Sequence, residues 1–205
     1  MALTMKTLQE QINDLRNELA VLKAESKSGI TIKKNLGLGI GDTFELCNLV
    51  WKILDITDKG YVCLAERLED SRRFDSDSND WKSSDLREYL NGEFYEELAG
   101  SIGEENIIPF ERDLLSLDGL KEYGNCEDKV SLISVDEYRK YREFIPNTDN
   151  YWWWTITPDS CRSNNDNSWV RVVSPRGYVS RSCYVSNRGV RPFCIFSASI
   201  FESEE

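Results

Sequence analysis

The sequence of 205 residues predicts an α+β domain preceded by an N-terminal coiled-coil helix. Three observations support this prediction: a heptad repeat in residues 1–27, short apolar runs separated by turn residues, and a few helix-start signals between those runs. Short strands, few helices and long connections are together typical of the α+β class. A chain of this length accommodates one sizeable domain and a short appendage.

Residues 1–27 form a separate unit in which apolar residues recur at alternating steps of three and four. The residues at these positions are Met5, Leu8, Ile12, Leu15, Leu19 and Leu22. Such a narrow stripe favours a coiled coil over an amphipathic helix packed on its own domain. We therefore expect this helix to join copies of the chain into a homo-oligomer, either a dimer or a trimer.

Residues 28–40 are rich in glycine and polar residues and predict a linker, so the domain is expected at 41–201. A capping box at Ser134–Glu137 marks the start of one of its helices, and Asn91-Gly92 marks the end of another. The predicted strands are Phe44–Cys47, Val50–Ile56, Tyr61–Ala65, Trp169–Val173, Tyr178–Tyr184 and Val190–Phe196. The predicted helices run from Ser83 or Ser84 through Leu90, from Phe94 to Leu98, and from Ser134 through Tyr141.

The segment 151–196 differs in composition from the rest of the chain. It contains no Lys and no Glu, and it has six Arg against two Asp in a chain whose net charge is −11. It begins with three tryptophans, Trp152 to Trp154, and is otherwise rich in Ser, Asn, Arg and Tyr. Rigid aromatic groups beside small polar groups are typical of antibody contact loops. The composition therefore indicates a binding surface, and its excess of arginine suggests a ligand with acidic or polar groups.

Several classes of protein are disfavoured by what the sequence lacks. It has no histidine, which removes the commonest general base and metal ligand, and its six cysteines include no CxxC pair. We therefore expect free thiols, no metal and no cofactor. The acidic composition argues against nucleic acid as a partner, and the absence of a long apolar run argues against a membrane span. No signal peptide is visible, so we expect a cytoplasmic or phage-particle location.

The acidic run from Asp75 to Asp80 resembles a calcium loop only superficially. Asp80 occupies the position where an EF-hand loop needs glycine, and Leu86 occupies the position of the bidentate glutamate. A polar loop before a capped helix is the favoured interpretation. A catalytic carboxylate at Asp80 or Asp85 would need a partner that the sequence does not reveal. The sequence therefore predicts no enzyme activity.

Five motifs occur in an order that resembles a widespread family of bacterial and phage domains. Some of its members are the variable proteins of diversity-generating retroelements. The motifs are Trp51-Lys52-Ile53-Leu54, Asn79-Asp80-Trp81 with Ser84-Asp85-Leu86-Arg87 and Leu90-Asn91, Asp128 to Ser134 with Glu137-Tyr138, Trp152-Trp153-Trp154, and Gly189-Val190-Arg191-Pro192. The resemblance covers about residues 40–196. It implies a C-type lectin-like fold of the formylglycine-generating-enzyme type for the domain.

The resemblance also implies how the segment 151–196 arises. A reverse transcriptase would rewrite its codons at template adenines, which scatters Asn codons into Ser, Asp, Tyr, Cys and Arg codons without creating stops. The enzyme that gives the fold type its name uses a pair of active-site cysteines to bind copper. Cys161, Cys183 and Cys194 show no matching motif, so we do not transfer that activity.

The expected site separates a constant frame from contact residues. The frame comprises Trp152, Trp153, Trp169, Gly177, Gly189, Arg191 and Pro192. The expected ligand-binding residues are Asp159, Cys161, Arg162, Asn164, Asp166, Ser168, Arg171, Arg176, Tyr178, Ser180, Arg181, Ser182 and Tyr184. Strand alternation predicts that Tyr178, Ser180, Ser182 and Tyr184 share one face. Because Tyr and Arg dominate interface energies, we expect most binding energy at Arg162, Arg176, Tyr178, Arg181 and Tyr184.

These observations favour a diversified ligand-binding protein whose partner is a protein or another cell-surface molecule. Two alternatives remain open at this point. One is a structural component of a phage or other particle, and the other is an enzyme of the formylglycine-generating type.

Overall fold

Three antiparallel sheets contain most of the regular structure in the computed structural model, which describes residues 37–66 and 71–201. The strands are β1 (Thr43–Leu46), β2 (Leu49–Thr57), β3 (Gly60–Ala65), β4 (Ile107–Ile108), β5 (Phe110–Asp113), β6 (Asn125–Asp128), β7 (Trp153–Pro158), β8 (Trp169–Val173), β9 (Val179–Cys183) and β10 (Phe193–Phe196). The helices are α1 (Asp85–Asn91), α2 (Glu93–Ile102) and α3 (Val135–Lys140). The first sheet has the order β1-β2-β3-β10-β4, the second pairs β5 with β6, and the third has the order β7-β8-β9.

The expected α+β class is wrong, because the described residues are mostly β. Each helix signal in the sequence is followed closely by a helix end: the C-cap residues of α1, α2 and α3 are Gly92, Gly103 and Tyr141. The helices are therefore too short to form a layer of their own, and apolar strands supply most of the core. The C-type lectin-like α+β architecture that the resemblance implies is therefore wrong as well. The predicted coiled coil at 1–27, and the oligomer built on it, lie outside the described residues.

The third sheet lies between the two apolar clusters of the core. Trp154 packs in one cluster with Phe74 and Trp81, whereas Trp153 packs in the other with Tyr138. Both tryptophans are almost completely buried, at 0% and 1% exposure for Trp154 and Trp153. Because consecutive strand residues point to opposite faces, this pair fixes both sides of β7. The hairpin formed by β8 and β9 thus extends from a rigid support.

A buried ion pair connects the second sheet to α3. Arg112 is 3% exposed, and its Nη1 and Nη2 donate to Glu137 Oε1 and Oε2 at 2.7 and 2.6 Å. Glu137 Oε2 also accepts from the Ser134 N–H, which completes the predicted capping box. Burial raises the pKa of Glu137, but the Arg112 bonds outweigh it and hold that pKa below its ordinary value.

This lowered pKa predicts acid sensitivity. A carboxylate whose pKa is lower in the folded state stabilises the fold above its unfolded pKa, and this contribution is lost as the pH falls through the folded pKa. We expect the urea midpoint to decline more steeply below about pH 4 in the wild type than in Glu137→Gln, which lacks the ionisable group. Identical pH profiles for the two proteins would contradict the assignment.

Two further expectations concern the chain as a whole. All six cysteines fall within the described residues and are free thiols, as predicted. Within 37–66 and 71–201, no helix has the length and apolar character needed to cross a bilayer.

Candidate functional site

The β8–β9 hairpin shows different chemistry on its two sides. Val170 and Val172 are fully buried, and Ser182 and Ser180 are their partners across the ladder. This side therefore faces the core. Arg171 is paired with Arg181 on the opposite side, beside the pair formed by Trp169 and Cys183. The outer side of the sheet thus presents two guanidinium groups and an indole ring.

Asp159 organises these outer side chains into what we call the Asp159 cluster, comprising Asp159, Trp169, Arg171 and Arg181. Arg171 Nη1 lies 2.5 Å from Asp159 Oδ1, and Arg181 Nη1 lies 2.8 Å from Asp159 Oδ2. The Arg181 guanidinium also lies 4.9 Å from the centre of the Trp169 ring, within the range of a cation–π contact. The hydrogen bond to Asp159 raises the pKa of Arg181, which remains 52% exposed. The cluster is preorganised and partly open to solvent.

The loop 159–168 is tied to the rest of the domain by residues from outside the segment 151–196. The buried Asn79 donates from Nδ2 to the carbonyls of Ser160 and Trp169, both at 2.9 Å. Tyr123 donates its hydroxyl proton to Asn79 Oδ1 at 2.6 Å. Ser160 Oγ donates to Asp118 Oδ2 at 2.7 Å, and the hydrogen bonds from Ser116 and from Ser160 lower the pKa of Asp118. These contacts hold the loop in one conformation.

The turn of the hairpin is equally constrained. The N–H groups of Ser174, Gly177 and Tyr178 donate to Tyr178 O, Ser174 O and Ser174 Oγ at 2.8, 2.9 and 2.9 Å. Tyr138 donates its hydroxyl proton to the Gly177 carbonyl at 2.9 Å. Tyr178 itself is 69% exposed, and Arg176 is exposed beside it. A turn held by four hydrogen bonds therefore presents both side chains to solvent.

Arg142 joins this turn from a different part of the chain. Its Nη1 donates to the Ile145 carbonyl at 2.6 Å and its Nη2 donates to Asn147 Oδ1 at 2.5 Å. Its guanidinium lies directly against Gly177. We call Arg142, Arg176, Gly177 and Tyr178 the hairpin tip. Arg142 precedes the segment of unusual composition, so no signal in the sequence connected it with the site.

Gly177 is required at the tip for two reasons. Its φ of +83° is unfavourable for residues with a Cβ, and a Cβ at this position would contact Arg142 Nη2 and come within 2.8 Å of Asn147 Oδ1. We expect Gly177→Ala to lower the free energy of unfolding by about 1–2 kcal/mol and to displace Arg142. Chemical denaturation measures the loss.

The matched control for this substitution is Gly100→Ala. Gly100 lies in α2, and a Cβ added there would have no atom within 4 Å, so alanine should stabilise the helix by up to about 1 kcal/mol. A Gly177→Ala protein as stable as the wild type would show that the turn does not depend on this backbone conformation.

The thirteen predicted contact residues differ widely in exposure. The exposed ones are Arg162, Asn164, Arg176, Tyr178 and Arg181. The half-buried ones are Asp159, Asp166, Ser168, Arg171, Ser180 and Tyr184, and the buried ones are Cys161 and Ser182. Of the expected frame, Trp153, Gly189, Arg191 and Pro192 are buried, whereas Trp152 is 40% exposed. Arg191 stacks on Trp153 and donates to the Ala65 carbonyl.

Two expectations about the contact residues need correction. Strand alternation does place Ser180 and Ser182 together, but on the side of the sheet that packs on the core. The expected excess of positive charge is also reduced in the fold by an acidic group from outside the segment. Arg162 lies 3.4 Å from Asp77, and Asp159 neutralises part of the charge of Arg171 and Arg181. A local charge count along the sequence does not include Asp77.

The acidic run from Asp75 to Asp80 forms a corner of the chain that side-chain hydrogen bonds stabilise. Asp75 accepts the N–H groups of Ser78 and Asp85, and Asp80 accepts that of Lys82. Burial raises the pKa of Asp80, although the carboxylate is engaged in capping the following turn. In the described ranges no three His, Cys, Asp or Glu side chains converge as metal ligands. The arrangement agrees with the favoured polar-loop interpretation.

A polar cleft of about 420 Å³ lies elsewhere, between β5, the loop 115–119 and the start of α3. Arg112, Asp113, Ser134 and Thr157 are among its lining residues. None of the thirteen predicted contact residues lines it.

The fold and site thus define a mostly β domain with a rigid, solvent-exposed surface of arginine and aromatic side chains. The chain belongs to the family described as Domain of unknown function (DUF6273), whose model matches residues 56–198. No curated protein and no solved structure shows significant similarity to the chain.

Proposed function

We propose that this domain is a ligand-binding module that holds its ligand on the outer side of the β8–β9 hairpin and on the loop 159–168. The observation that carries the proposal is the Asp159 cluster, in which Arg181 is fixed by a carboxylate and an indole ring yet remains half exposed. Arginine and aromatic side chains held in place lose little conformational entropy on binding. Such groups are the usual centres of binding energy at interfaces.

We further propose that retroelement mutagenesis diversifies this surface. A partial division between frame and contact residues supports this idea, because Trp153 and Pro192 are buried while Arg162, Asn164 and Arg181 reach solvent. Substitution at the exposed positions would leave the core intact. A near-copy of the coding segment for 151–196, differing mainly at adenines and adjacent to a reverse transcriptase gene, is the expected genomic observation. If neither the copy nor the gene is present, diversification is rejected.

The binding surface is tested with a triple variant, Arg176→Ala, Tyr178→Ala and Arg181→Ala. Full-length wild type is immobilised, proteins retained from a lysate or from cell-surface extracts are identified, and the affinity of one purified hit is then measured. We expect the triple variant to bind that hit at least about 100-fold more weakly, since each hot-spot truncation costs about 2 kcal/mol or more.

The control variant changes Leu117 and Arg139 to alanine, two exposed residues that line the polar cleft. We expect its affinity for the same hit to equal that of the wild type. If the triple variant binds as well as the wild type, the site assignment is rejected. A loss of affinity confined to the cleft variant would show that the ligand binds at the cleft.

A further inference from the structure

The arginines of the candidate surface fall into two groups according to their ion pairs. Arg162, Arg171 and Arg181 each have a carboxylate oxygen within 4 Å, at 3.4, 2.5 and 2.8 Å. Their charges are therefore already partly satisfied within the protein. A new acidic partner at these positions would compete with Asp77 or Asp159, so little additional electrostatic energy is available there.

The arginines of the hairpin tip are in the other group. Across residues 37–66 and 71–201, no carboxylate oxygen lies within 4 Å of Arg142 or Arg176. The Arg142 guanidinium donates to neutral oxygens of Ile145 and Asn147, and Arg176 is exposed. The tip therefore carries two positive charges that no described acidic group compensates.

The tip combines this charge with an exposed aromatic ring on a rigid backbone. Tyr178 is 69% exposed, and Gly177 between it and Arg176 is held by Ser174, by Tyr138 and against Arg142. Guanidinium groups bind carboxylates in a bidentate manner, and a tyrosine adds apolar area with a hydrogen-bonding hydroxyl. Because the chain has a net charge of −11, an acidic partner is repelled by much of its surface and attracted at this point.

From this geometry we infer that the hairpin tip is the centre of the ligand surface and binds an acidic peptide segment of a protein partner through its Asp or Glu carboxylates. This inference rests on the proposed function and specifies its ligand class. Arg142 then contacts the ligand directly, whereas Arg162, Arg171 and Arg181 have supporting roles.

The test is an NMR titration of the full-length, ¹⁵N-labelled chain with octaglutamate and, separately, with octaglutamine. We expect octaglutamate alone to shift the amide resonances of residues 174–178. Changing Arg142 and Arg176 to glutamine should weaken octaglutamate binding at least about 10-fold, because it removes both guanidinium groups that would form charge-assisted hydrogen bonds with the carboxylates. Raising the salt from about 50 to about 300 mM should weaken wild-type binding several-fold.

The matched control variant is Arg73→Gln with Arg139→Gln, which removes the same number of charges from two exposed arginines outside the hairpin that are paired with Asp85 and Asp136. We expect its affinity for octaglutamate to stay within about twofold of the wild type, because those arginines already have carboxylate partners. An equal loss in both double variants, or no shift at 174–178, would overturn the inference. Arg176→Gln alone, at an exposed position, provides the same comparison should the Arg142 variant misfold.

Failure of this inference is distinguishable from failure of the proposed function. The same variants, together with Arg181→Gln alone, are tested against the purified hit from the pull-down. A hit whose binding depends on Arg181 and not on Arg142 or Arg176 would retain the proposed function and reject the acidic-peptide inference. If the triple variant retains full affinity for the hit and octaglutamate causes no shift, both are rejected.

Discussion

Replacement of Asn79 by alanine is expected to lower the free energy of unfolding by about 3–5 kcal/mol, because it removes the amide partner of the buried Ser160 carbonyl and Tyr123 hydroxyl. Asn79 is completely buried, and its side chain makes hydrogen bonds at both ends of the amide. Its Nδ2 donates to the carbonyls of Ser160 and Trp169 at 2.9 Å, and its Oδ1 accepts from the Tyr123 hydroxyl at 2.6 Å. The truncation therefore removes the side-chain connection between residue 79 and the candidate binding loop, while the backbone bond from the residue 79 N–H to the Asn167 carbonyl at 2.9 Å remains.

Equilibrium urea denaturation measures this effect, and hydrogen exchange locates it. We expect faster amide exchange in the loop 159–168 of Asn79→Ala, since the loop loses its buried anchor. Asn164→Ala is the control, because Asn164 is exposed in the same loop and should cost less than about 0.5 kcal/mol. A loss below about 1 kcal/mol for Asn79→Ala would mean that water replaces the amide without penalty.

The second large effect is expected from Trp154→Ala. This side chain is 0% exposed, its ring centre lies 5.5 Å from that of Phe74, and its Nε1 donates to the Arg72 carbonyl at 2.8 Å. Truncation of a buried tryptophan to alanine opens a cavity and typically costs about 3–5 kcal/mol. The lost indole bond also leaves the Arg72 carbonyl without this donor.

Trp152 provides a control two positions away in the same sequence motif. It is 40% exposed, so Trp152→Ala should cost about 1 kcal/mol or less. Thermal or urea unfolding of the two variants measures the contrast. If the two variants lost similar amounts of stability, the contribution of the tryptophan motif would not come from the burial of Trp154.

Local features of the fold were predictable from sequence because they depend on short-range chemistry. Ser84 caps α1 as expected, Ser134 and Glu137 form the capping box, and the turn at Ser174–Gly177 joins two strands close to their predicted bounds. Each of these structures is formed by residues a few positions apart, so the required side chains are visible in a short window. The same holds for the strands β1 to β3 at the start of the domain.

The features that were missed depend on contacts between distant residues. Arg87 pairs with Asp128 from a distant part of the chain, and Arg162 pairs with Asp77 from outside the segment 151–196. The side of β9 that faces the core is set by packing of β8 against β7, which alternation alone does not determine. The prediction of the fold class was wrong for the same reason. How far strands pair depends on tertiary contacts, which a short window of sequence does not show.

Hydrogen exchange on the full-length chain, with and without the purified ligand, tests the central claim most directly. A ligand held on the outer side of the hairpin should slow exchange in residues 174–183 and in the loop 159–168, while the polar cleft remains unchanged. Protection confined to the cleft segments 111–119 and 134–139, with the hairpin unaffected, would contradict the proposed binding surface.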